Sequence, residues 1–300
     1  MSSTPHTDPP TGGLDRAALL LDAFDGPGRL NLAQVVRRTG LSRSSAHRML
    51  EQLVQLHWLR RDGRDYELGM RLFELGSLAL HQDRLHQAAL PYLHELHRLT
   101  GHVVHLAVLD GVDVVYLDKI GPGFGAQLPS RIGGRQPAHC TSVGKALLAN
   151  LAPSERECFL ATDLQGSTQR SPAVPSRLRT ELARIRERGI AVDRQESVVG
   201  IACIGVPVGN PGNVVAGLSV CGPAAHMKPE HMLATPLRIA ARDITRALGA
   251  AESGTPCRPF ARSRPGRPGR PEGGSRELMH CATERVTTRG AARATTTPMN

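Results

Sequence analysis

Near the start of the chain, Ala17, Leu20, Leu21 and Phe24 recur at i, i+3, i+4 and i+7, which predicts a helix ended by the segment DGPGRL. Asn31 suits an N-cap, and Leu32, Val35 and Val36 then form a short second helix that stops at Thr39-Gly40-Leu41. Ser42 caps a third helix running to about His57. Its apolar stripe is Ala46, Met49, Leu50 and Leu53, with Ser44, Arg48, Glu51 and Gln55 on the opposite side. WLRRDGRDYEL follows as two short runs around Asp62-Gly63, a dipeptide suited to the type I′ turn of a hairpin. Helix, helix, turn, helix, hairpin is the order of a winged helix-turn-helix.

A further stripe of Leu68, Leu72, Leu75 and Ala79 has no local cover, so a second copy of the chain is its expected partner. Leu85, Ala89, Leu93, Leu96 and Leu99 space as another helix, bent at Pro91 and ended by Thr100-Gly101. HVVHLAVL and VDVVYLDKI read as strands joined at Asp110-Gly111, and CTSVGKALLANL as a helix capped in Thr141-Ser142. A basic amphipathic helix spans Pro175 to Arg188 and closes at Gly189. IAVDRQESV, ACIGVPVG and VVAGLSVCG are strands, the last two separated by NPGN. A helix from Pro229 to Leu248 buries Leu233, Leu237, Ala240, Ile244 and Leu248. Hairpins with helices at either end predict an α+β domain rather than a doubly wound one.

Periodicity fails at both ends. Residues 250–300, which include RSRPGRPGRPEGG, are expected to be a disordered Arg/Pro-rich tail, and residues 1–13 a disordered N-terminus. The expected division is thus 14–68 for the winged helix-turn-helix, 69–84 for a linker helix and 85–249 for the second domain.

Charge sharpens this outline. Of the formal net +10, residues 37–64 supply +5, with seven Arg against Glu51 and Asp62, and residues 251–300 supply +5, with nine Arg against four Glu. An anionic partner is indicated, and the first cluster lies on the third helix and the wing. Ser42, Arg43, Ser44, Ser45, His47 and Arg48 would enter a major groove, while Arg60, Arg61 and Arg64 would flank the DNA backbone. One Trp, three Tyr and five Phe leave too few aromatics for a base-stacking platform. No stretch reaches the roughly 18 apolar residues of a membrane span, and MSSTPHTDPPTGG lacks a basic start followed by an apolar run. A soluble, cytoplasmic chain without cofactor is expected. The six Cys show no CxxC spacing and read as buried thiols rather than a disulfide framework or zinc ribbon. His81, His86, His94, His97 and His102 are expected at the solvated surface.

The stretch NLAQVVRRTGLSRSSAHRMLEQLVQLHWLRRDGRDYELGMRLFELG resembles the DNA-binding module and linker of the IclR family of bacterial transcriptional regulators. VHLAVLDGVDVVYLDKI, SRIGGRQPAHCTSVGKALLA, AVDRQESVVGIACIGVPV and VVAGLSVCGP are similar to successive blocks of that family's effector domain. The likeness covers roughly residues 14–249 and leaves the tail out. It implies a GAF/PAS-like domain with a curved antiparallel sheet and a small-molecule pocket, in a homodimer or dimer of dimers on operator DNA. The pocket residues it implies are Leu128, Ser142, Val143, Asp193, Ile201, Cys203, Ser219 and Cys221, and the implied effector is a small organic metabolite, carboxylate or aromatic. Independently of any family, Ser219 and Cys221 are two apart on a strand and share a face, and a helix opening at Ser142 offers backbone N–H groups to an anion.

Rival readings are thinner. GKA at Gly144–Ala146 is no P-loop, since the first glycine would fall at His139 and Ala146 lacks the magnesium-binding hydroxyl. GPGFG at 121–125 has no βαβ unit around it and reads as a loop. His139, Cys140, Asp193 and Cys203 could converge on a metal, which would make the chain a metal- or redox-sensing regulator through Cys140, Asp193 and Cys203, or a zinc-dependent hydrolase.

Overall fold

A computed structural model of the chain describes residues 12–26, 28–121, 128 and 130–250. The readings of residues 1–11, of most of the GPGFG loop and of the tail concern positions outside that set. The chain divides into two compact units, with the boundary between Gln82 and Asp83.

The first unit runs α1 (Gly13–Asp22), β1 (Leu30–Asn31), α2 (Leu32–Thr39), α3 (Arg43–Gln55), β2 (Leu59–Asp62), β3 (Asp65–Leu68) and α4 (Met70–Gln82). Local chemistry sets each helix end. The Asn31 side chain accepts from Gln34 N while Gln34 Oε1 accepts from Asn31 N, a capping box at the start of α2. Gly40, at φ 69°, turns the chain where other residues would be strained, and Ser42 Oγ accepts from Ser45 N to open α3. Leu20, Phe24, Val35, Leu50 and Leu53 then meet Leu30, Leu59 and Tyr66 of the wing in one core, each large side chain adding roughly 1.5–3 kcal/mol. α4 buries none of its residues, and Met70, Phe73 and Leu78 are at least half exposed.

The second unit contains α5 (Arg84–Thr100), β4 (Val103–Asp110), β5 (Asp113–Ile120), β6 (Arg135–Pro137), α6 (Ser142–Ala149), α7 (Pro153–Leu160), α8 (Pro175–Arg188), β7 (Ala191–Arg194), β8 (Ile201–Asn210), β9 (Asn213–Pro223) and α9 (Glu230–Ala250). Its six strands form one antiparallel sheet in the order β6-β5-β4-β9-β8-β7. β4 is buried from Val103 to Val108 without alternation, as expected when both faces of a sheet are covered. α5 and α9 pack together and onto the sheet, while α6 lies across β4, β9 and β8 with α8 beside it.

Several expectations need correction. The hairpin turns are Gly63-Arg64 and Gly111-Val112, because Asp62 pairs with Asp65 and Asp110 with Asp113. Glycine thus takes the first central position, with φ of 58° and 65°, and the second central residue stays at negative φ, the pattern of a II′ turn rather than I′. α7 and β6 have too few apolar positions to announce themselves. Leu99 is exposed at the end of α5. His86 is mostly buried, with Nε2 2.9 Å from Asp118 Oδ2, and His102 is buried with burial holding its pKa below the ordinary value, so neither is a solvated surface histidine. Cys140, Cys203 and Cys221 are buried free thiols, but Cys158, half-buried on α7, is disulfide-bonded.

The approach of α6 to the sheet is set by glycine. A Cβ on Gly205 would lie 2.7 Å from Ser142 C and 2.9 Å from Val143 N, and one on Gly217 would lie 3.0 Å from Val143 O. Backbone cannot yield as a flexible side chain can. Gly205→Ala is therefore expected to lift the start of α6 and lower stability by about 1–3 kcal/mol, read as a drop in the denaturation midpoint, whereas alanine at Gly76, which has nothing within 4 Å, leaves the midpoint near wild type or raises it.

Candidate functional site

Two sites follow from these elements. On the first unit, Arg43, Ser44, His47 and Arg48 stand exposed on α3 while Ala46, Leu50 and Leu53 face the core. Ser42 Oγ is 3.0 Å from Ser45 Oγ and 3.3 Å from Ser44 Oγ, so the three hydroxyls brace one another at the helix start. Glu51 holds the wing to this helix, since its Oε1 accepts from Arg61 Nη1 and from Tyr66 Oη, each at 3.0 Å, with His47 Nδ1 4.0 Å away. Arg61 also lies 5.7 Å over the Tyr66 ring. Arg60 and Arg29 both pair with Glu67, which holds that carboxyl below its usual range. Among the described residues Arg43, Arg48 and Arg64 form no ion pair, so of the nine expected DNA contacts Arg60 and Arg61 are the two already tied into the wing.

On the second unit, strand register assembles a pocket. Val103, Cys221, Cys203 and Asp193 face one another in a row across β4, β9, β8 and β7, and His105, Ser219 and Gly205 make the next row on the same face. The start of α6 sits over these rows. The resulting cavity is lined by all eight residues expected there, namely Leu128, Ser142, Val143, Asp193, Ile201, Cys203, Ser219 and Cys221. Its closed part is about 20 Å³, and it continues into space open to solvent.

Sequence reasoning missed His105, Tyr116, Ser130, Gln136, Thr141, Ser197 and Val198, which complete the lining. A histidine or serine in a strand carries no periodic signal of its own, and only the alternation of HVVHLAVL could have pointed to His105. His105 Nε2 lies 2.8 Å from Ser130 Oγ, its ring centroid is 5.0 Å from that of Tyr116, and its buried Nδ1 makes no hydrogen bond to the described residues. Tyr116 Oη donates to Gln136 Oε1, and burial pushes its pKa well up. Thr141 Oγ1 accepts from Gly144 N, which leaves the first-turn N–H groups of Ser142 and Val143 without a helical partner.

Asp193 lines the cavity and also holds its own loop. Its carboxylate accepts from Glu196 N at 2.6 Å and from Ser197 Oγ at 2.5 Å, which draws the 194–200 loop over the pocket. Burial raises its pKa against those hydrogen bonds. Behind it, Lys145 is fully buried and donates to Glu181 Oε1 at 2.6 Å, to Val192 O at 2.7 Å and to Glu196 Oε2. Glu196 is itself buried, and burial raises its pKa although Lys145 pulls it down. The lysine that suggested a nucleotide loop is thus an internal cation pinning α6, α8 and the loop.

Among the described residues no three His, Cys, Asp or Glu side chains converge as metal ligands. His139 Nε2 and Cys140 Sγ face Gln165 O at 3.1 and 4.0 Å, and neither lines the cavity with Asp193 and Cys203. No described helix is long and apolar enough to cross a membrane.

Comparison with known proteins agrees with this fold. The family description "Bacterial transcriptional regulator IclR C-terminal" matches residues 77–246, and "IclR helix-turn-helix domain" matches residues 13–63. The chain belongs to the IclR family of transcriptional regulators. It is 37% identical over 214 residues to the HTH-type transcriptional regulator XynR of Escherichia coli strain K12, covering 69% of this chain and 84% of that one. To the HTH-type transcriptional regulator KdgR of the same organism it is 32% identical over 236 residues, covering 77% and 90%. Among solved structures, an IclR homolog from Microbacterium hydrocarbonoxydans complexed with 4-hydroxybenzoate aligns with TM-score 0.71 at 30% identity, covering 79% of this chain and 99% of that one.

Lys145→Met leaves Glu196 buried without its cation and is expected to cost about 3–5 kcal/mol of second-unit stability. Adding Glu196→Gln to Lys145→Met removes the stranded charge and should recover much of that loss. Chemical denaturation of the two variants checks this, and equal stabilities would show that the charges are not coupled.

Proposed function

We propose that this regulator binds duplex operator DNA as a homodimer or dimer of dimers in the cytoplasm, and that a small organic acid in the pocket alters its DNA affinity. The observation that carries the effector reading is the convergence on one cavity of Ser142, Ser219, the first turn of α6 and His105, whose buried Nδ1 makes no hydrogen bond to the described residues. Such a set suits a carboxylate, because helix N-terminal N–H groups and hydroxyls donate to it without a buried cation. The 4-hydroxybenzoate held by the Microbacterium homolog supports the same class. Among the described residues no converging ligand set supports the metal-sensing or hydrolase alternatives.

The exposed Met70, Phe73 and Leu78 of α4 support a dimer through that helix. Two recognition helices must sit about 34 Å apart, or a multiple, to read one face of DNA. A ligand that favours one arrangement of the dimer by about 1–3 kcal/mol would change operator affinity 5- to 150-fold.

Arg48→Ala should weaken specific operator binding by about 1–3 kcal/mol and relax sequence preference. Arg61→Ala, which releases Glu51 and the wing, should weaken specific and random DNA alike. Competition binding at fixed salt separates the two, and an Arg48→Ala protein with wild-type affinity and specificity would place the base-reading face elsewhere.

Ser219→Ala should weaken binding of the organic acid by about 1–3 kcal/mol while ligand-free operator binding stays near wild type. Isothermal titration with a panel of small organic acids that includes 4-hydroxybenzoate reads this. A panel member bound equally by wild type and variant would move the ligand away from β9.

A further inference from the structure

Cys203 on β8 and Cys221 on β9 are direct register partners. Facing residues of antiparallel strands hold their Cα atoms about 4.5 or 5.5 Å apart, according to the kind of pair. A disulfide accepts Cα separations of about 4.4–6.8 Å, a range that contains both spacings. Facing side chains also leave a sheet on the same side, and here both enter the cavity. Both are free thiols, 7% and 5% exposed.

Their surroundings differ. The His105 imidazole lies beside Cys221, whose Sγ is 3.8 Å from Ser219 Oγ, whereas Cys203 faces the Asp193 carboxylate. Burial raises Cys221, but the Cys203 thiol donating to it and the nearby imidazole outweigh this and hold it below the ordinary thiol range. The hydrogen bond to Cys221, burial and Asp193 hold Cys203 well above that range. A thiolate attacks and a neighbouring thiol resolves. Hydrogen peroxide is small enough for the closed part of that cavity.

We propose that Cys203 and Cys221 form a dithiol that a small hydroperoxide oxidises to a cross-strand disulfide, with Cys221 attacking and Cys203 resolving. In the first step Cys221 Sγ takes one oxygen of hydrogen peroxide. The S–O bond forms, the O–O bond breaks, and the departing hydroxide leaves as water with the Cys221 proton. Sulfur is oxidised to sulfenic acid as peroxide oxygen is reduced. In the second step Cys203 Sγ attacks that sulfur, the S–S bond forms, the S–O bond breaks, and hydroxide departs as water with the Cys203 proton. Two thiols and one hydrogen peroxide become one disulfide and two waters. The product removes two S–H groups from the pocket floor and ties β8 to β9. The inference stands apart from the organic-acid reading, because it needs no ligand.

The test uses the full chain, reduced, freed of reductant, treated with hydrogen peroxide and digested without further reduction. Peptide mass mapping should find the Cys203 and Cys221 peptides joined, lighter by two hydrogens, with no oxygen retained and separated by dithiothreitol. Cys203→Ser should stop at a sulfenic acid on Cys221 that dimedone traps, and Cys221→Ser should leave Cys203 reduced. Both thiols still open to alkylation after peroxide has oxidised other cysteines of the chain overturns the proposal. So does Cys221 carried to sulfinic acid unlinked, or either cysteine joined to a different partner. The wild-type map stands even if a serine variant fails to fold. A joined pair in a protein that binds none of the acids tested would leave this inference standing and count against the organic-acid reading alone.

Discussion

The second unit depends on α6 meeting the sheet backbone to backbone. Gly205 and Gly217 clear the space, and Gly144 lets the same turn close on Ala138 O, where a Cβ would come within 2.1 Å. The contact carries two consequences. It buries Val143, Ala146, Leu147 and Leu148 in the core with α7 and α8, and it brings the open N-terminal turn of the helix onto the strand face that carries His105, Ser219, Cys203 and Cys221. Packing and pocket chemistry thus share one geometric condition. A side chain at Gly205 would disturb both.

A second condition is electrostatic. Burying Lys145 is unfavourable by itself, and Glu181, Glu196 and Val192 O offset it by supplying charge and hydrogen bonds from three other segments. Glu196 is also held from its backbone side by Asp193, Thr168 Oγ1 and Ser171 Oγ. The loop over the pocket is therefore fastened by polar groups, and fastened to the helix that forms the pocket's other wall. The same fastening accounts for the buried carboxylate of Asp193, which accepts from Glu196 N and Ser197 Oγ.

The first unit solves a different problem. One face of α3 stays polar and exposed while the opposite face packs. Arg61 and Tyr66 converge on Glu51, so the wing is held by a residue of α3. Arg60 and Arg29 neutralise Glu67 in the same hairpin. Of the described arginines of α3 and the wing, Arg43, Arg48 and Arg64 form no ion pair and remain available to an anion.

By itself the sequence determined the elements whose signals are local. The helix-turn-helix was legible from the Asn31 and Ser42 caps, Gly40 and the stripe of α3, and α8 from Pro175 and Gly189, because capping and 3.6-residue periodicity act over a few residues. All eight pocket residues were named by likeness to a family, and only the pairing of Ser219 with Cys221 followed from spacing. What the tertiary structure alone decided needed partners far along the chain. His86 meets Asp118, Lys145 meets Glu196, and Asp193 holds its own loop. His105 enters the pocket, and Cys203 stands opposite Cys221, only because strand register places them there. Register is a property of two strands at once, and the burial of a charge depends on everything packed around it, so neither can be read from one segment.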